Sequence, residues 1–117
     1  MNIEQVREYC LRKKGVTEEL PFDEESPVYK VMGKIFLIAS LNPPFSINVK
    51  CDPEKAVEIR ERYPSVTPGY HMNKLHWNTI DLEAIIPQKL VLEWIDHSYE
   101  LIISKLKKKD RERLERM

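Results

Sequence analysis

The sequence predicts an α+β protein in which helices pack on one face of an antiparallel sheet. Runs of alternating, β-prone residues follow one another through short turns, and amphipathic helical stretches are segregated from these runs. The 117 residues suit a single domain, 1–117, because they can bury one core and contain neither an internal repeat nor a linker-like stretch.

A helix is predicted first, over residues 2–14. Ile3 and Val6 follow helical spacing, Asn2 is a suitable N-cap, and Gly15 suits the C-terminal stop. An acidic stretch, "TEELPFDEE", follows this helix.

Strands are predicted in the next part of the chain. Gly33-Lys34 lies between two β-prone runs and is typical of a tight hairpin turn, so Lys34 to Leu41 forms the second strand of that hairpin. The two prolines of "NPPF" end this strand. Residues 45–51, "FSINVKC", then alternate between apolar and polar side chains, which predicts a half-buried strand.

A second helix is clearly indicated by "DPEKAVEIRERYP". Asp52 is an N-cap, Pro53 fits the first helical position, and Pro64 ends the helix. The face predicted to be buried comprises Ala56, Val57, Ile59 and Tyr63.

The last strand is predicted at "WNTIDLE", where Trp77 and Thr79 alternate with Asn78 and Ile80. A long amphipathic helix follows, and its apolar face is expected to hold Leu90, Val91, Trp94, Ile95, Ser98, Leu101, Ile102 and Leu106. The basic tail, 107–117, is predicted to be a further helix that Asp110 can cap.

Overall charge indicates no partner, since 19 Lys and Arg residues balance 19 Asp and Glu residues. Cys10 and Cys51 form no CxxC pair and are expected to be reduced thiols. Glu4 and Glu8 stand where a signal peptide needs an apolar run, and no apolar stretch approaches the length of about 18 residues that spans a membrane. These features predict a cytoplasmic protein without a membrane partner.

No catalytic constellation stands out in the sequence. Cys51 precedes a helix N-terminus, where the dipole could lower its pKa, but no base is identifiable beside it. His71 and His76 lack a third ligand at motif spacing, and His97 is remote. The sequence therefore favours a non-enzymatic protein without an obligatory metal or cofactor.

The stretch "PGYHMNKLHWNTI", residues 68–80, is the strongest candidate for a binding site. Between Glu61 and Asp81 no acidic residue occurs, and basic, amide and aromatic side chains alternate. Such groups contact phosphates and base edges, and stack on bases. The residues predicted to bind nucleic acid are Arg62, Tyr70, His71, Asn73, Lys74 and His76. Trp77 is expected to be structural, and the amide and imidazole groups could instead hold the loop.

A family resemblance is carried by residues 68–80 together with four other stretches: "CLRKKGVTEELPF", "VYKVMGKIFLIAS", "SINVKCDPEKAVEIRERYP" and "WIDHSYELIISKL". The chain resembles the MmcQ/YjbR family over roughly residues 1–106. The most specific part of the resemblance is the order of His71, Asn73, Lys74, His76 and Trp77. The D-x-S-Y segment supports it with Asp96, Ser98 and Tyr99.

This resemblance implies a CyaY-like (frataxin-like) fold with a twisted antiparallel sheet, and a proposed double-wing DNA-binding protein with no catalytic residues. We therefore expect a monomeric, cytoplasmic module whose partner is DNA. Two alternatives stay open. The 68–77 loop could line a pocket in a small-ligand or protein-interaction module, or the acidic 18–25 segment could bind cations as in frataxins.

Overall fold

The computed structural model describes residues 1–69 and 72–117, and these residues form a six-stranded antiparallel sheet and four helices. The strands are β1 (Val16–Glu19), β2 (Val28–Val31), β3 (Lys34–Ser40), β4 (Ser46–Lys50), β5 (Val66–Pro68) and β6 (Trp77–Asp81). Their spatial order is β1-β2-β3-β4-β6-β5. The helices are α1 (Ile3–Leu11), α2 (Pro53–Arg62), α3 (Gln88–Ser104) and α4 (Lys108–Glu115). The predicted α+β class is confirmed.

Two helix starts follow the predicted signals. At α1, the Asn2 side chain accepts a hydrogen bond from the backbone N–H of Gln5 at 2.8 Å, and the Gln5 side chain accepts one from the N–H of Asn2 at 2.9 Å. At α2, the Asp52 carboxylate accepts a bond from the Lys55 N–H. In contrast, α4 begins at Lys108, so the predicted cap by Asp110 is wrong.

The hairpin turn between β2 and β3 is formed by Met32 and Gly33, one residue earlier than predicted. Both residues have positive φ, 49° and 79°, which is the geometry of a type I′ turn. Lys34 already pairs with Val31 and belongs to β3.

The sequence did not predict β1 or β5. Both are edge strands of four residues or fewer, and β5 contains Pro68. Thr17, Glu18 and Glu19 of β1 are all exposed, so no apolar alternation marks that strand.

One face of the sheet is covered by helices, and the core lies between this face and the helices. Its central members come from β3, β4, β6 and α3: Leu37, Ala39, Ile47, Val49, Ile80, Val91, Trp94 and Ile95. Phe36 is the extra residue of a β-bulge and also enters this core, where its ring meets Tyr99 edge to face at 5.4 Å. Val57 is 41% exposed, so its predicted burial in α2 is wrong.

Ser98 of α3 joins the helix layer to the centre of the sheet. Residue pairing between β3 and β4 ends at Leu37 and Val49, and the next two residues would be Phe36 and Lys50. The buried Ser98 hydroxyl donates to the Phe36 carbonyl at 2.5 Å and accepts from the Lys50 N–H at 2.9 Å. It therefore bridges two strands where they no longer bond directly.

Removing this bridge is expected to destabilise the protein. Ser98→Ala leaves the Phe36 carbonyl and the Lys50 N–H without their partner, at a cost of about 2 kcal/mol in the free energy of unfolding. Ser104→Ala is the matched control, because Ser104 is exposed and its hydroxyl donates to the Leu101 carbonyl of its own helix. Urea unfolding curves measure both changes. Equal stability of the two variants would contradict the bridging role.

Candidate functional site

The β5–β6 connection contains the stretch singled out by the sequence. Tyr70 and His71 lie outside the described residues. In the described part, the Asn73 carbonyl accepts from the N–H groups of His76 and Trp77, at 3.1 and 3.0 Å. The Asn73 side-chain oxygen accepts from the Leu75 N–H at 2.9 Å. Asn73 thus uses its oxygen atoms to hold a tight turn.

Arg60 of α2 anchors this turn from the side. Its guanidinium donates to the Lys74 carbonyl at 3.2 Å and to the Asn78 side-chain oxygen at 2.9 Å. Asn78 is buried and its amide donates to the Ala56 carbonyl at 3.4 Å. Neither Arg60 nor Asn78 was predicted as a site residue. The available signal was an asparagine at a core-facing position of an alternating strand, since a buried amide needs partners.

Gly69 fixes the other side of the connection. Its N–H donates to the Trp77 carbonyl at 2.7 Å, and a Cβ added at residue 69 would lie 2.6 Å from the Cβ of Trp77. Only glycine allows this approach. Trp77 itself is 8% exposed, which confirms the structural role expected for it.

The remaining predicted residues occupy different places. Lys74 is exposed at the tip of the turn, and His76 is half-buried, with its carbonyl accepting from the Cys51 N–H at 2.7 Å. Arg62 is also exposed, but it ends α2 and precedes β5, and its guanidinium lies 5.8 Å from the Tyr63 ring centre. The turn therefore contacts Arg60, not Arg62.

Among the described residues, five cationic side chains lie at this turn, at the adjoining end of β4 or at the start of α2: Lys50, Lys55, Arg60, Lys74 and Lys105. We call this region the basic end. Lys50 pairs with Trp77, and burial followed by the positive charge of neighbouring Lys105 lowers the pKa of Lys50. Within the described residues, no member of the basic end forms an ion pair. Asp52 also lies here, where its carboxylate caps α2.

His97 ties α3 to the start of α2 within the basic end. The Asp52 N–H donates to His97 Nε2 at 3.1 Å, so this nitrogen carries no proton. Burial and then the nearby Lys55 charge lower the pKa of His97. Protonation of His97 would remove this bond.

Both cysteines are buried free thiols. Burial raises the pKa of Cys10 to about 12 and that of Cys51 to about 11, although Lys55 acts in the opposite direction at Cys51. The lowered pKa that the helix start could give Cys51 is therefore not found, and neither thiol has thiolate character near neutral pH.

The acidic segment 18–25 makes contacts within the fold. Glu18 accepts from Arg7 Nε at 2.9 Å and from the Tyr29 hydroxyl at 2.6 Å. Burial alone would raise the pKa of Glu18, but these hydrogen bonds and the Arg7 charge lower it. Glu19 pairs with Lys30. In the part of the chain that the structure describes, no three His, Cys, Asp or Glu side chains converge as metal ligands.

The D-x-S-Y segment joins α3 to α1. Asp96 accepts from the Tyr9 hydroxyl at 2.7 Å and forms an ion pair with Lys13, and the Tyr99 hydroxyl donates to the Lys14 carbonyl at 2.6 Å. These contacts add to the bridge made by Ser98. The segment therefore has a structural role.

These features define a small α+β domain with a CyaY-like fold, whose sheet carries helices on one face and a basic turn at one end. The chain belongs to the YjbR family, whose family model matches residues 11–101. Across residues 1–69 and 72–117, no helix combines the length and apolar character needed to cross a bilayer.

Relatives and solved structures agree with this membership. The chain is 41% identical to protein YbdF of Escherichia coli O157:H7 over 80% of this chain and 78% of that protein. It is 27% identical to protein YjbR of Escherichia coli K12 over 97% and 98% of the two chains. The crystal structure of Deinococcus radiodurans protein DR2400, with a DUF419 domain, superposes with a TM-score of 0.91 at 32% identity, covering 97% of this chain and 87% of that one.

The His97 contact predicts a pH dependence of stability. Because the pKa of His97 is lowered in the folded state, the unfolded chain binds the proton more readily. The His97 contribution to the free energy of unfolding is therefore full above the unfolded pKa and decreases as the pH is lowered from about 7 to about 5. The lowered pKa of Glu18 also makes the protein less stable in acid, but at still lower pH.

Urea unfolding of the wild type and His97→Gln across this pH range measures the effect. Glutamine keeps a hydrogen-bond acceptor but does not titrate, so the variant is expected to lose this part of the pH dependence. Parallel curves for the two proteins would contradict the assignment.

Proposed function

We propose that this protein is a non-enzymatic DNA-binding module of the MmcQ/YjbR type and that DNA contacts the basic end. The carrying observation is the group of five cations without ion-pair partners in the described residues. Unpaired lysine and arginine side chains that replace counterions along the DNA backbone supply most of the affinity for DNA.

Local charge supports this proposal although the net charge is zero. Lys50 ends β4, whereas Ser46 begins it and pairs with Asp81. The two ends of β4 are about 13 Å apart. Asp23 lines the same groove as Asp81, and Glu83 donates its N–H to the Asp81 carboxylate, so acidic groups gather at this end. A phosphate backbone would therefore be attracted to one end of the sheet and repelled from the other.

The backbone of the turn at the basic end is held in place by hydrogen bonds, which suits a phosphate contact. Asn73 and Arg60 fix the main chain around Lys74, while the Lys74 side chain stays exposed. Positioning the backbone beforehand lowers the entropy lost on binding. In this proposal Lys74, Lys50 and Lys105 contact phosphates.

The other residues predicted from the sequence keep supporting roles in the proposal. Tyr70, His71 and His76 are candidates for contacts with bases or sugars. Asn73 acts by shaping the turn, and Arg62 at the end of α2 adds positive charge without contacting the turn. We also propose that the protein acts in the cytoplasm, because two buried, unpaired thiols suit a reducing compartment.

A charge reversal at the tip of the turn tests the proposal. Lys74→Glu should weaken binding of a labelled DNA duplex about tenfold at low salt, and should reduce the slope of log affinity against log salt concentration by about 1. Fluorescence anisotropy measures both quantities.

Lys89→Glu is the matched control, because Lys89 is exposed near the start of α3 and forms no ion pair among the described residues. It makes the same charge change away from the basic end and should have little effect. An equal loss in both variants, or no binding by the wild type at low salt, would contradict the proposal.

A further inference from the structure

The sheet face opposite the helices forms a groove of about 940 Å³. Most of its floor consists of strand positions that alternate with the core residues. One row across the strands runs from Ile38 through Asn48 and Thr79 to Thr67. This volume is in the range of pockets that hold small organic ligands. A separate internal void beside Trp94 measures about 10 Å³ and is too small for such a ligand.

Loops raise the walls of the groove. Phe22 and Asp23 come from the connection between β1 and β2, Pro44 comes from the connection between β3 and β4, and Met72 comes from the β5–β6 connection. Phe22 is 66% exposed, which is unusual for a large aromatic side chain. Among the described residues of the 68–77 loop, Met72 lines the groove, whereas Pro68 does not.

The floor is rich in groups that form hydrogen bonds. The Thr79 hydroxyl donates to the Asn48 side-chain oxygen at 2.6 Å. A second row, Ser40, Ser46 and Asp81, brings two more hydroxyls beside a carboxylate. A ligand in this groove would therefore meet hydroxyl and carboxylate oxygens as well as an apolar wall.

The described residues that line the groove carry a net negative charge. Asp23 and Asp81 carry carboxylates, and no lysine or arginine lines the groove among the described residues. Each carboxylate accepts a backbone N–H through Oδ1, from Glu25 and Glu83 respectively, and neither forms an ion pair within the described part of the chain. Among the described residues, neither Oδ2 atom accepts a hydrogen bond.

We propose that this groove binds a small organic cation bearing amine groups. Ammonium groups complement the two carboxylates and can donate to the hydroxyl oxygens, and the exposed Phe22 ring offers a cation–π contact. The same charge disfavours phosphates, so this site is distinct from the DNA surface proposed at the basic end and does not depend on it.

Calorimetric titration of the full chain with spermidine at physiological salt tests the proposal. The wild type should show saturable binding, and Asp23→Asn combined with Asp81→Asn should weaken it about fivefold to tenfold, since two charge pairs are lost. An amide oxygen can still accept the two backbone N–H bonds, so both turns are retained. Melting temperatures check that the variant is folded.

The matched control combines Glu24→Gln with Glu83→Gln. These exposed acids are close in sequence to the groove but do not line it, and their replacement makes the same charge change. The control should bind spermidine nearly as well as the wild type. An equal loss in both double variants would overturn the proposal by showing non-specific attraction to acidic surface.

Two other results would also overturn it. The wild type could give no saturable heat with spermidine. Sedimentation could show self-association that the Asp23→Asn, Asp81→Asn variant abolishes, which would assign the groove to a second copy of the chain.

Discussion

The bridge made by the Ser98 hydroxyl is the contact on which the arrangement of the site depends. The hydroxyl donates to the Phe36 carbonyl and accepts from the Lys50 N–H where β3 and β4 no longer pair. These two hydrogen bonds fix α3 to the centre of the sheet. The preceding residue of the helix, His97, accepts a hydrogen bond from the N–H of Asp52, the N-cap of α2. One side of α3 therefore sets the position of the sheet, of α2 and of the Lys105 charge beside Lys50.

Zero net charge conceals a separation of charge along the strands. The basic end collects cations around the turn at Lys74, whereas the open sheet face is lined by Asp23 and Asp81. Because the fold holds these groups apart, one small domain can present surfaces suited to ligands of opposite charge. The DNA surface and the amine groove are therefore compatible proposals.

Local signals predicted much of the fold from sequence. Capping by Asp52 and the alternation at Trp77–Asp81 depend on neighbours in the chain, so these elements were found. The edge strands β1 and β5 were missed because their pairing, not their side chains, defines them. The candidate turn was found, but the contact of Arg60 with Asn78 was not, since it joins residues 18 positions apart. The groove on the open face of the sheet was not predicted either, because locating it requires the register of the strands.

Mapping DNA onto the protein by NMR tests the central claim most directly. Nitrogen–proton correlation spectra would be recorded while a short duplex is added at low salt. The proposal predicts that backbone amide signals of residues 50–55, 72–76 and 104–106 shift most, and that added salt reverses the shifts. Shifts concentrated at residues 38–48 on the open face, or no shifts at all, would contradict it.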